Sequence, residues 1–204
     1  NRKMVFYLFG RIGQIVALLL LLPAVVAIIY GEYVQLWAFL ITAAGAVAVG
    51  TLISLLCRTK NKVIYAKEGF AIVSLAWISM SAVGALPFVL SGDIPSYIDA
   101  LFETVSGFTT TGASILRDIE AMSYSMLFWR SFTHWIGGMG VLVFVMAIVS
   151  NMTDRSIHLM RAEMPGPVVG KFVPRGRDTA KILYLIYIVM TLVQTLMLWA
   201  GDMN

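Results

Sequence analysis

The chain is short of charge. Asp, Glu, Lys and Arg make up 13% of its 204 residues, against about 25% in a soluble domain. Hydrophobic residues reach 59% and mean hydropathy is +0.85. A soluble globular domain is excluded, and the composition is that of a multi-spanning membrane protein. Cysteine is nearly missing as well. Cys57 stands alone, which excludes an internal disulfide and a cysteine-based metal cluster. At the end of an apolar run it reads as a buried or interfacial thiol. Acidic residues are absent from the long apolar runs, and Gly-x-Ser-x-Gly does not occur. Intramembrane hydrolysis would need paired aspartates, a zinc helix or an activated serine inside those runs, so the chain is read as a non-enzyme. The net charge of +4 calls for no nucleic acid, because basic residues collect in the cytoplasmic loops of membrane proteins.

A helix needs roughly 20 apolar residues to cross a bilayer. Five segments qualify: Ile12–Ile29, Val34–Leu56, Phe70–Leu90, Leu127–Ser150 and Ile182–Ala200. The chain opens at Asn1 without an initiator Met. Its first apolar run, about 18 residues, exceeds the 7–15 of a signal-peptide core, so a retained helix is expected. Pro23 inside it predicts a kink.

Loop charges set the topology. Arg2, Lys3 and Arg11 precede the first span; Arg58, Lys60, Lys62 and Lys67 fill the second loop, against Glu68. Arg155, Arg161, Lys171, Arg175, Arg177 and Lys181 fill the fourth, against Asp154, Glu163 and Asp178. The other loops are acidic: Glu32, then Asp93, Asp99, Glu103, Asp118 and Glu120 against Arg117, then Asp202. The basic loops and the N-terminus are expected in the cytoplasm. Tyr30, Tyr33, Trp37, Trp129 and Trp199 near outer boundaries, with Tyr7 and Phe70 near inner ones, are expected to be interfacial anchors.

The segment from Ser91 to Leu127 lies between two spans but cannot cross itself. If it did, the fourth loop would fall on the wrong side for its charge. It is expected to enter from outside, dip into the bilayer and return. Ser96 and Asp99, with Pro95 just ahead, make a capping-box-like start. Ile98, Leu101, Phe102 and Val105 then recur at helical spacing, and Asp99 and Glu103 lie four apart on one face. About 12 residues give a helix of roughly 18 Å, enough to reach the membrane interior. Its C-terminal end, about half a negative charge, points toward Thr109, Thr110, Thr111, Gly112, Ala113 and Ser114. Three threonines offer carbonyls and hydroxyls, and Gly112 permits positive φ, which lets successive carbonyls face one way. Neutral oxygens replace the water of a small cation yet hold it weakly enough to leave.

After the hairpin, Arg130 and His134 share a helical face in the outer third of the fourth span. Arg130 is either a functional intramembrane charge or a side chain snorkelling to the interface; His134 is read as a packing residue rather than a metal ligand. Gly137, Gly138 and Gly140 allow close helix approach or a hinge, with close approach preferred. In the fourth loop Pro165-Gly166-Pro167 forces a turn. Arg161 and Glu163 beside it are either an ordinary charged turn or a docking surface for a cytosolic subunit.

Several of these residues, in order, carry a family. Phe102, Glu103, Gly107, Thr109 to Ala113, then Trp135, Gly137 to Gly140, then Arg161 to Pro167, with Glu68 to Phe70 and Gly84 to Phe88, resemble the Trk-type potassium-uptake subunits (TrkH and close relatives) of the Trk/Ktr/HKT superfamily. The resemblance runs along essentially the whole chain. It implies an all-α integral membrane fold, with a helix–pore loop–helix (potassium-channel-like) repeat preceded by two extra transmembrane helices. The implied division is residues 1–66 for the two preceding helices and 67–153 for the first repeat with its re-entrant filter. Residues 154–181 then form a cytoplasmic loop, and 182–204 the first helix of a second repeat. Such proteins build one pore from four repeats, so a fragment of a longer polypeptide is expected, supplying one of four filter segments. The resemblance further implies K+ at the carbonyls of Thr110 and Thr111, with Thr109 and Gly112 flanking and Asp99, Glu103 and Gly107 supporting the pore helix. The implied partners are membrane lipid, the remainder of the same polypeptide and a cytosolic nucleotide-binding (TrkA-like) regulatory subunit docking near Arg161 and Glu163. It implies as well a homodimer of the full-length protein in a bacterial inner membrane. No organic cofactor and no nucleic acid are implied. A homo-oligomeric cation channel of this short chain, or a non-conducting membrane scaffold, are the alternative readings.

Overall fold

The structure, a computed structural model, describes residues 2–58, 66–140 and 176–201. The basic loop residues Lys60 and Lys62, the side chains of Lys67, Glu68 and Phe70, positions 141–150 of the fourth span, Asp202, and Arg161 and Glu163 lie outside the described residues. Every regular element among the described residues is helical: α1 (Arg2–Tyr30), α2 (Tyr33–Leu56), α3 (Ala66–Ser91), α4 (Tyr97–Phe108), α5 (Tyr124–Gly138) and α6 (Gly176–Ala200). Of these, α1, α2, α3 and α6 are long and apolar enough to cross a membrane. The fold class expected from the sequence is the one found.

Helix α1 extends ten residues upstream of the apolar run and continues through Pro23 without a break. It ends in a Schellman turn. Gly31, at φ 72°, takes the left-handed position, and the amides of Gly31 and Glu32 donate to the carbonyls of Ile28 and Ala27. The chain reverses at once into α2. The two helices then approach closely at two glycines. A methyl group on Gly10 would lie 2.5 Å from the Gly50 carbonyl oxygen, and one on Gly50 would lie 2.6 Å from that of Gly10. Beside them Gln14 Nε2 donates to Thr51 Oγ1 at 3.0 Å.

Helix α3 packs on both, α4 packs on α3, and α5 packs on α4 and α1. The core where they meet is aromatic. Trp129 is fully buried, with its ring edge-on to Phe39 and to Phe108, each at 6.4 Å between centroids. Its Nε1 donates to the Gly84 carbonyl at 2.9 Å. This corrects the expectation of an interfacial anchor. An indole is buried when its N–H finds a partner, and a carbonyl of α3 supplies one here. Trp199, at 80% exposure, does stay outside the packed core. Helix α6 touches the rest through α5, where Tyr187 donates to the Trp135 carbonyl at 3.0 Å and Trp135 Nε1 to Thr191 Oγ1 at 3.2 Å.

Candidate re-entrant ion site

The segment between α3 and α5 is a hairpin with its two ends tied together. Asp93, just past α3, accepts from Ser123 through both the backbone amide (3.2 Å) and the hydroxyl (3.0 Å). Its other oxygen takes Gln35 Nε2 at 3.2 Å. One turn further, the first amides of α5 have no capping side chain of their own. Glu32, from the α1–α2 link, reaches across to cap them, accepting from Tyr124 N at 2.7 Å and Ser125 N at 2.9 Å. A carboxylate at a helix N-terminus satisfies orphan donors and meets the positive end of the helix dipole.

From this mouth α4 descends alongside α3 and α5. Ser96 caps it, its Oγ accepting from Asp99 N at 3.4 Å, as the sequence predicts. Thr104 anchors it laterally by donating to the Ser81 carbonyl at 3.0 Å. The face it presents to the protein mixes apolar and polar residues and leaves much of the apolar stripe outside. Ile98, Phe102 and Val105 are 76%, 46% and 41% exposed, whereas Ala100, Glu103, Thr104, Ser106, Gly107 and Phe108 are buried. The glycines explain how α5 comes so near. A methyl group on Gly107 would collide with Thr133 Oγ1, and one on Gly137 with the Phe108 carbonyl. Close approach, not a hinge, is the role of Gly137; Gly138 likewise lies against the Tyr187 hydroxyl. At 1.5 Å per residue, the stretch from Ser123 to Gly137 puts the end of α4 roughly 20 Å from the mouth of the hairpin. The chain reverses between the end of α4 and the start of α5, with the turn set back from the α3–α5 junction.

Helix α4 ends in the same motif as α1. Thr110 N donates to the Gly107 carbonyl at 2.9 Å and Thr111 N to that of Ser106 at 3.0 Å, which is a Schellman turn. Here the left-handed position belongs to Thr110, at φ 56°. A β-branched residue with positive φ is a true outlier, and such strain persists only where surrounding contacts impose it. Gly112, two residues on, has φ 74°, as its identity suggests. Alternating sign of φ turns successive peptide planes so that neighbouring carbonyls can face one side. Thr109, Thr110, Thr111, Gly112 and Ala113 are all exposed in this chain.

The hydroxyls are already engaged. Thr109 Oγ1 donates to the Val105 carbonyl at 2.7 Å, and Thr110 Oγ1 to that of Thr109 at 2.7 Å. Thr109 has spent its one proton, so the 2.8 Å contact between the Thr109 and Thr111 hydroxyls takes its proton from Thr111. Among the described residues, the carbonyls of Thr110, Thr111 and Gly112 accept no hydrogen bond. Carbonyls, more than hydroxyls, are what the turn offers.

The chain leaving the turn is pinned from behind. Ser106 donates to the Ala113 carbonyl at 2.6 Å. Glu103 accepts from the Ser114 hydroxyl and from Ile115 N, each at 2.6 Å, and from Arg130 Nε at 3.0 Å. Arg130 is thus an inward partner of α4, and the snorkelling alternative is set aside. His134 Nδ1 lies 2.9 Å from the Arg130 carbonyl, a packing role. Among the described residues no cluster of three or more His, Cys, Asp or Glu could hold a metal ion.

Of the predicted site residues, Thr109, Thr110, Thr111, Gly112, Glu103 and Gly107 come together at the deep end of α4. Asp99 does not; it sits in the first turn of α4, where its carboxylate faces the positive end of the helix dipole. Sequence reasoning missed the tying roles of Glu32, Asp93 and Ser106, and read Arg130 without a partner. Ser106 alone had a local signal, a hydroxyl one turn before the end of a helix.

Comparison with known proteins supplies a family. The family model described as "Cation transport protein" (TrkH) matches residues 35–201. The Trk system potassium uptake protein TrkH of Escherichia coli K12 is 39% identical over 205 residues, covering 96% of this chain and 42% of that relative. The TrkH of Halomonas elongata is 32% identical, covering 99% of this chain and 42% of its own length. The crystal structure of the potassium transporter TrkH from Vibrio parahaemolyticus superposes with a TM-score of 0.78 at 28% identity, covering all of this chain and 40% of that one. The chain spans about two-fifths of the length of these relatives.

Proposed function

The chain belongs to the TrkH cation-transport family, and from that premise we propose that it forms one wall of a potassium-uptake pore, with K+ held by the carbonyls of Thr110 and Thr111 and flanked by Thr109 and Gly112. The supporting observation is the end of α4. A Schellman turn with positive φ at Thr110 and Gly112 lies deep in a hairpin whose mouth is closed by Asp93 and Ser123. Non-helical backbone at membrane depth is tolerated only against protein or a water-filled path. The exposed carbonyls of this turn need such a path, or a partner to cover them.

The chemistry is ligand exchange. A potassium ion gives up part of its hydration shell for carbonyl oxygens, and the negative end of α4 favours the positive charge. With no carboxylate in the turn itself, binding stays weak enough for release. One turn cannot surround an ion. In this reading the other three filter segments come from the remainder of a longer polypeptide, residues 67–153 are the first repeat, and 182–204 open the second. The protein sits in a bacterial inner membrane with its N-terminus in the cytoplasm and its hairpin entering from outside, and it dimerises. A cytosolic nucleotide-binding subunit docks near Arg161 and Glu163. Reversing both of those charges is expected to weaken co-purification of that subunit, and undiminished recovery would remove the docking role.

Gly112→Ser tests the filter. A Cβ at φ 74° is strained by roughly 1–2 kcal/mol, enough to shift the aim of adjoining carbonyls. The full-length polypeptide carrying it, expressed in a bacterium deficient in potassium uptake, is expected to lose about tenfold of its preference for potassium over sodium. An unchanged preference would contradict the reading.

A further inference from the structure

One buried carboxylate joins three pieces of chain. Glu103 belongs to α4 and its side chain is 0% exposed. Its Oε1 holds Ser114 and Ile115, in the segment leaving the turn, each at 2.6 Å. Its Oε2 holds Arg130 of α5 at 3.0 Å. The Arg130 side chain is 16% exposed, so both members of the pair are largely shielded. Removing one partner of a shielded ion pair strands the other charge. The stranded group then relaxes toward any polar atom or water within reach, and here that movement would drag Ser114 and Ile115 with it.

These two residues stand just beyond Gly112. The turn is held from the front by its amide bonds to Ser106 and Gly107. From behind it is held by the Ser106 tie to Ala113 and the Glu103 ties to Ser114 and Ile115. A strained Thr110 keeps its conformation only if both sides are fixed. Among the described residues Arg130 makes no hydrogen bond to the turn; its side chain bonds Glu103. Its leverage passes entirely through Glu103.

We infer that Arg130 is a positioning residue of the filter: by anchoring the Glu103 carboxylate it fixes the polypeptide behind the Thr109–Gly112 turn, and thereby contributes to discrimination between potassium and sodium. The inference rests on the reading of that turn as a filter.

The test measures potassium uptake and its inhibition by sodium in a potassium-uptake-deficient bacterium. The full-length polypeptide carries Arg130→Gln, Arg130→Lys, Glu103→Gln or the Glu103→Gln/Arg130→Gln pair, with membrane abundance checked by immunoblot. Arg130→Gln is expected to lower the potassium-over-sodium preference roughly tenfold, the scale of one lost charge-assisted contact. Arg130→Lys, which keeps the charge without the planar fork, recovers part of it. The double variant is no worse than Arg130→Gln, because both changes break one contact. If Arg130 only braces the fold, uptake of both ions falls together with abundance while the preference stays constant, and that result overturns the inference. Should Arg130→Gln fail to reach the membrane, an unshifted preference in Glu103→Gln, which removes the charge that Arg130 anchors, overturns it equally. Gly112→Ser separates the two levels. A shift there beside an unshifted Arg130 series removes the positioning role and leaves the filter reading intact, whereas no shift in either removes both.

Discussion

The α1–α2 hairpin and the α4–α5 unit are both close helix pairs seated on glycines, yet they differ in what is added to that contact. In the first, contact depends on the absence of side chains: Gly10 and Gly50 bring two backbones within reach of each other. In the second, Gly107 and Gly137 do the same, and a buried carboxylate and its arginine cross-link the helices as well. The helix ends differ in the same sense. Both α1 and α4 finish in Schellman turns, with Gly31 relaxed in the left-handed position of one and Thr110 strained in that of the other. Where the chain only needs to turn, it uses the residue for which turning is easy. Where the chain beyond the turn is tied back to the helix, it uses a residue that must be held.

Breaking each region separately sharpens the contrast. Glu103→Ala strands Arg130 and releases Ser114 and Ile115. A loss of about 3–5 kcal/mol is expected, visible as the largest fall in thermal midpoint of the detergent-purified protein, together with lost ion preference. Gly50→Ala places a methyl group against the Gly10 carbonyl and forces α1 and α2 apart. A cost of roughly 1–3 kcal/mol is expected, read by the same melt, with ion preference unchanged because the pair lies away from the turn. A changed preference would mean the two regions are coupled. Thr110→Gly gives the smallest effect and the opposite sign. Relief of the left-handed strain raises stability by up to about 1 kcal/mol, while the freed turn loses ion preference in competition assays. A loss of stability would show that the Thr110 hydroxyl bond to Thr109 outweighs the strain.

Much of the scaffold was legible from one-dimensional patterns. Apolar run length located four of the helices now seen in full, and Ser96 with Asp99 placed the start of α4 within a residue. The triple threonine and Gly112 marked the turn. Relations across long sequence distance were not legible. Glu32 caps a helix 92 residues away, and Arg130 meets Glu103 across 27. In the sequence Glu32 was one more acidic outer-loop residue, and Arg130 an isolated charge. Trp129 looked like an anchor because aromatic residues at span ends usually are; only its approach to the Gly84 carbonyl made burial favourable.

The sequence by itself determined which segments are helical and apolar, where α4 is capped, and where the turn falls, because propensity, periodicity and capping act between residues a few positions apart. Tertiary structure alone decided which face of α4 looks inward. Periodicity marks the stripe of Ile98, Leu101, Phe102 and Val105 as the one to bury, yet of these Leu101 alone packs against the core, and Glu103, Ser106 and Gly107 are buried. Where apolar surface gains little by leaving a nonpolar surrounding, polar groups that find partners and glycines that permit close contact govern the packing.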